Sequence, residues 1–180
     1  PARAVIGADM VVVAVPLGAI EAVLRAIVPQ LSPDAVVTDV GSAKGSVVAD
    51  VERVYGQIPP NFVPGHPIAG TEKSGVEASF STLFQRRRVI LTPLAETAAF
   101  AHQLVKRMWE ITGAEVVDMG VRHHDAVLAA TSHLPHMLAY TLVDTLARLD
   151  DRAEIFRYAA AAELTSYWQS WRASEESSDR

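Results

Sequence analysis

Residues 10–15 form an unbroken aliphatic run closed by Pro16, the pattern of a strand buried on both faces. Over residues 17–28, Ile20, Val23, Leu24 and Ile27 recur at helical spacing and stop before Pro29. A second β-branched run at 35–38 ends in Asp39-Val40-Gly41-Ser42. Residues 44–55 then read as a helix with Val47, Val48, Val51 and Val54 on its buried side. Phe62 and Val63 lead into a glycine-punctuated segment, and a strand at 89–91, a helix at 96–111 and a strand at 115–117 follow. Strand and helix alternate over short connections, which predicts parallel βαβ units in a doubly wound sheet. The segments 15–18, 39–44 and 65–75 then stand beyond the carboxyl ends of strands, where such sheets bind ligands, and face one cleft.

After Val117 the strand pattern stops. Residues 119–149 carry Leu128, Leu138, Leu142 and Leu146 at helical spacing, interrupted at Ser132-His133-Leu134-Pro135, where the proline predicts a kink or restart. A further helix is expected at 154–171, ahead of a polar tail. The chain thus divides into a sheet domain over 1–118 and a helical domain over 119–180. It opens on Pro1 and reaches an apolar strand within ten residues, so we expect it to begin mid-domain.

Composition narrows the partners. Hydrophobic residues make up 49% of the 180 positions, enough for a substantial core. A net charge of -5 argues against a nucleic-acid or anionic-membrane partner. There is no cysteine, hence no disulfide framework, thiolate metal site or thiol nucleophile, which is compatible with a cytoplasmic protein. The longest apolar run is far too short to span a bilayer.

Chemistry concentrates in Gly65-His66-Pro67-Ile68-Ala69-Gly70-Thr71-Glu72-Lys73-Ser74-Gly75. Its glycines permit positive φ and close backbone approach, and Pro67 restrains the residue beside the histidine. A neutral imidazole at a cleft mouth can take a proton from a hydroxyl, so His66 is read as a general base rather than a loop brace. Ser42 and Lys44 precede a helix and carry two readings. Ser42 is a helix cap with Lys44 solvated, or the helix N-terminus binds an anion or a ribose. Asp39 caps the following turn. Glu72 and Lys73 form a solvated pair, or one of them faces the cleft. His123, His124, Asp125, His133 and His136 form a second cluster. We read His133 as lining the cleft and His124-Asp125 as a pair at a helix start, with a metal site the lesser alternative. Arg86, Arg87 and Arg88 read as solvated, and Trp109, Tyr167, Trp168 and Trp171 as core or interface aromatics.

Together these segments resemble the prephenate dehydrogenase family (prephenate, arogenate and cyclohexadienyl dehydrogenases). The resemblance rests on Val13-Ala14-Val15-Pro16, on 39–44, on 65–75, on Leu91-Thr92-Pro93, and on His124-Asp125 followed by Thr131-Ser132-His133-Leu134-Pro135-His136, from about residue 8 to residue 158. It implies a Rossmann-like domain, an all-α dimerisation domain that builds a homodimer, and NAD(P)-dependent oxidative decarboxylation of prephenate or arogenate in tyrosine biosynthesis. It implies no bound metal. It assigns His66 to the substrate hydroxyl, Ser42 to a place near that hydroxyl and the nicotinamide, and His133 to the substrate. Thr71, Glu72 and Lys44 go to the substrate pocket, and Val15, Pro16, Gly41 and Ser42 to the cofactor, NAD or NADP. The sequence departs from the family in two places. It contains no Gly-x-Gly-x-x-Gly phosphate loop, and after Tyr158 it runs Ala159-Ala160-Ala161-Ala162 where the family has a glycine pair and a substrate-binding arginine. A weakly active or inactive fragment is therefore expected of the isolated chain, and a non-catalytic dimerisation or regulatory module is the alternative.

Overall fold

A computed structural model describes residues 1–70, 79–151 and 154. Two compact units are present, Pro1–Asp125 and a second that begins at Ala126. In the first, β1 (Met10–Val13) and β2 (Val36–Asp39) run parallel in the register Met10 to Val36 through Val13 to Asp39. β3 (Phe62–Val63) joins the other side of β2, also parallel. All four residues of β2 are buried, as expected of a central strand covered on both faces.

The side chains of β2 alternate between two cores. Val37 packs with Ile20, Leu24 and Ile27 of α1 (Ile20–Ile27), with Val47 and Val51 of α2 (Lys44–Tyr55), and with Val13 and Phe62. Val36 packs with Val63, with Val89 and Leu91 of β5 (Arg88–Leu91), and with Ala101, Val105 and Trp109 of α3 (Ala99–Ile111). Each helix buries a stripe of residues three or four apart, as the hydrophobic spacing predicts. Phe84 meets the Trp109 ring edge-on at 5.1 Å, which makes Trp109 a core residue.

The sheet is less regular than the sequence suggests. Only Pro64 separates β3 from β4 (Gly65–Pro67), and the Pro64 carbonyl accepts a hydrogen bond from the Thr92 N–H at 2.9 Å. β4 pairs antiparallel with β5, Gly65 opposite Leu91 and His66 opposite Ile90. β5 then pairs parallel with β6 (Glu115–Asp118) across the α3 crossover. An antiparallel neighbour needs no crossover helix, and no helix is described between β4 and β5. The all-parallel expectation therefore fails at one pairing, while the Rossmann-like α/β class stands. His66 accordingly lies on a strand rather than in a loop.

α4 (Val121–Leu128) follows β6. In the second unit a five-residue π-turn, Ala129–His133, leads into α5 (Leu134–Ala147), with Pro135 in its first turn. The interruption expected at this proline is present, and it takes the form of a widened turn because proline supplies no N–H to the helical ladder. Among the described residues no helix is long and apolar enough to cross a membrane. Of the helix expected at 154–171 only Glu154 is described, and Tyr167, Trp168 and Trp171 lie outside the described residues.

Candidate active site

At the carboxyl edge of β1, β2 and β3 two polar constellations share residues of α2 and β4. The first is centred on Asp39, the last residue of β2. Its carboxylate accepts from the Gly41 N–H at 2.7 Å, the Gly65 N–H at 3.2 Å and the Lys44 ammonium. Lys44 Nζ also donates to the Gly65 carbonyl at 2.7 Å. Both side chains are buried, Lys44 with no exposed surface. Burial pushes the Asp39 carboxyl upward and the Lys44 ammonium downward, and their mutual attraction opposes both shifts.

The arrangement ties β2, α2 and β4 together next to His66. It also explains two glycines. A Cβ on Gly65 would lie 3.0 Å from the Asp39 carbonyl oxygen, and one on Gly41 would lie 2.7 Å from Leu17 Cδ2 and 2.9 Å from Asp39 Oδ2. Close approach, rather than positive φ, is what these positions require. Among the described residues only Gly7, Gly56 and Gly113 are glycines with positive φ.

The second constellation is a chain of three side chains. His66 Nδ1 lies 2.9 Å from His124 Nε2, and His124 Nδ1 lies 2.8 Å from Asp125 Oδ1. The two rings meet edge-on, centroids 5.1 Å apart. His124 is completely buried on α4, so its two ring nitrogens are committed to these partners. Asp125 reaches further. Its Oδ1 accepts the Lys44 N–H and its Oδ2 the Gly45 N–H, each at 2.8 Å, so it caps the N-terminus of α2 from 80 residues away. Burial works to raise the Asp125 carboxyl. The hydrogen bonds from His124, Lys44 and Gly45 outweigh it and hold the carboxyl below the ordinary range.

Several expectations are corrected by this geometry. Lys44 is neither solvated nor available to touch a substrate, because its ammonium is consumed by Asp39 and Gly65. Ser42 is not the cap of α2. The N-cap position is Ala43, without a side-chain bond, and Asp125 does the capping. The anion reading of this helix N-terminus falls with it, since the protein's own carboxylate occupies the first two N–H groups. Asp39 does cap its turn, through Gly41, but its larger part is the buried ion pair. His124-Asp125 is not merely a helix-start pair.

Val15 and Pro16 leave β1 beside Gly41 and the half-buried Ser42, which leave β2, so these four share one edge. His133 is the exposed last residue of the π-turn in the second unit, and the His136 ring donates to the Ser132 carbonyl at 2.7 Å. Among the described residues no three His, Asp or Glu side chains are placed to hold a metal ion. Thr71 and Glu72 lie outside the described residues.

Sequence reasoning missed the joint part played by His124 and Asp125. No local signal marked it, because Ser42 offers an ordinary cap in the sequence and the actual cap comes from α4.

Two family models match the chain. Residues 1–118 match the nucleotide-binding domain of prephenate dehydrogenase, and residues 121–166 its dimerization domain. A cyclohexadienyl dehydrogenase of Zymomonas mobilis is 42% identical over 159 residues, covering 86% of this chain and 53% of that protein. A prephenate dehydrogenase of Bacillus subtilis is 41% identical over 109 residues, 59% of this chain and 29% of its own length. The crystal structure of the Aquifex aeolicus prephenate dehydrogenase in complex with hydroxyphenyl propionate and NAD+ superposes with a TM-score of 0.79. It is 40% identical, and the match covers 89% of this chain and 55% of that one. The chain thus spans about half, or less, of the length of the curated relatives it matches. With one family model matching residues 1–118 and a second matching residues 121–166, the chain belongs to the prephenate dehydrogenase family.

Proposed function

We propose that the protein oxidises and decarboxylates prephenate or arogenate with NAD or NADP, a step of tyrosine biosynthesis. The observation that carries this reading is His66. Its ring sits on β4 at the carboxyl edge of the parallel strands, braced through Gly65 and hydrogen-bonded to a buried histidine.

The residues present fit the nicotinamide end of the cofactor. Val15, Pro16, Gly41 and Ser42 line one edge where two adjacent parallel strands end in register. The phosphate end has no glycine loop among residues 1–180. When bound, the nicotinamide supplies the hydride acceptor.

The chain's own residues handle the proton. As hydride leaves the ring carbon that bears the hydroxyl, His66 takes the hydroxyl proton. The ring carboxylate departs as carbon dioxide, its bonding pair completes the aromatic ring, and His66 returns the proton to the phenolic oxygen. Ser42 stands beside the reacting hydroxyl, His133, Thr71 and Glu72 contribute to the substrate pocket, and Lys44 braces the site from beneath. The second unit is the dimerisation surface. In support, α5 exposes Leu134, Met137, Leu138 and Leu142, an apolar face suited to a second copy.

Production of reduced cofactor from prephenate and from arogenate, with NAD and with NADP, by the full-length protein that carries this chain tests the reading. Turnover of at least one pair is expected, and none with any pair would remove it. A second reading, a dimerisation module without turnover, is favoured by the exposed apolar face of α5. It predicts a dimer that binds neither nicotinamide cofactor in calorimetry.

A further inference from the structure

We infer that Asp125 and His124 act as positioning residues that set which nitrogen of His66 is basic. This rests on the proposed role of His66 as the proton acceptor. The geometry allows one consistent proton assignment when both rings are neutral. A carboxylate accepts only, so His124 must carry its proton on Nδ1 and give it to Asp125 Oδ1. His124 Nε2 is then an acceptor, so the 2.9 Å contact to His66 is donated by His66 Nδ1–H. The lone pair of His66 is thereby placed on Nε2, the nitrogen a base uses toward substrate. In the reverse assignment His66 Nε2 carries a hydrogen and cannot accept one.

Asp125 is itself held in place. Two backbone N–H groups of α2 fix its carboxylate, and a Cβ on Gly45 would meet Oδ2 at 2.8 Å, so glycine is needed there for the carboxylate to approach. The complete burial of His124 removes water as an alternative partner for its ring. Charged and titratable groups near His66 include His124 and, beyond it, Asp125 from α4, and, joined to the neighbouring Gly65, the Asp39–Lys44 pair, whose members are paired with each other.

Three variants of the protein separate this from simple capping. Asp125→Asn permits the reverse assignment, since its amide can donate to His124 Nδ1. The plateau of kcat/KM should fall on the order of tenfold to a hundredfold, the loss typical of a removed orienting partner. Because a carboxylate stabilises a nearby imidazolium, its removal should also move the acidic limb of the kcat/KM profile to lower pH. His124→Gln keeps an acceptor toward His66 and a donor toward Asp125, whereas His124→Leu keeps neither. Gln should therefore retain at least tenfold more activity than Leu.

If Asp125→Asn lowers only thermal stability, with plateau and acidic limb unchanged, Asp125 is a cap and the inference is wrong. Equal losses in His124→Gln and His124→Leu would also overturn it. His66→Asn is measured alongside. If that variant keeps full turnover, the base assignment itself fails, a result distinct from either of the others.

Discussion

Lys44 is the residue whose chemistry the structure changes most. Its sequence neighbourhood, a lysine just inside a helix start, suggests a solvated charge or an anion ligand. Its surroundings instead make it the centre of a buried ion pair, joined to Asp39 and to the carbonyl of Gly65. A buried pair of this kind adds little net stability, but removing one member leaves the other charged and alone. We therefore expect Lys44→Met to lose about 3–5 kcal/mol in urea unfolding. Burial already pushes Asp39 upward, so in the variant its carboxyl takes up a proton more readily. A group whose folded value is raised stabilises at low pH and loses that contribution as pH rises, so the deficit of Lys44→Met should grow from acid to neutral pH. A loss below about 1 kcal/mol at neutral pH, the range of exposed pairs, would show that the pair is not buried as described. His66 was legible from sequence because glycines and a proline flank it. The burial of Lys44 was not, because it depends on Asp39 and Gly65 arriving from two different strands.

At the scale of elements, α2 shows where local sequence rules give way to tertiary ones. Its hydrophobic stripe and its end at Gly56, which takes the left-handed φ of 77° that a helix C-terminus favours, are readable from the sequence. Its start is not, because the cap is Asp125 of α4. The Asp125 carboxyl is held below its ordinary range, so it contributes stability above the unfolded value and loses it as pH falls through the folded one. The urea midpoint should accordingly drop below about pH 4, the region of an unperturbed aspartate, and drop less steeply in Asp125→Asn. Identical acid limbs for the two proteins would deny Asp125 this role. The switch from β3 to β4 is a second case. The apolar pair Phe62 and Val63 leads into this segment, but Pro64 and the glycine-rich run beyond it read as a loop. Only the pairing of Gly65, His66 and Pro67 with Leu91, Ile90 and Val89 turns that run into an edge that holds the imidazole still.

Across the whole molecule, the alternation of aliphatic runs and helical stripes was enough to indicate a doubly wound α/β unit ahead of a helical region, and the elements follow in that order. Pairing partners far apart in sequence were less visible, because nothing local in β4 or α4 announces that His66 and His124, 58 positions apart, share a hydrogen bond. That shared bond orients the base of the proposed enzyme, in which His66 carries the proton step and not the binding of cofactor. The most direct measurement is the turnover of His66→Asn with prephenate or arogenate, beside its NAD affinity by calorimetry. With His66 as the base, kcat should fall on the order of a hundredfold or more, in the range of a lost general base, while NAD binds as before. Unchanged turnover, or a loss traced wholly to weaker NAD binding, would contradict that role.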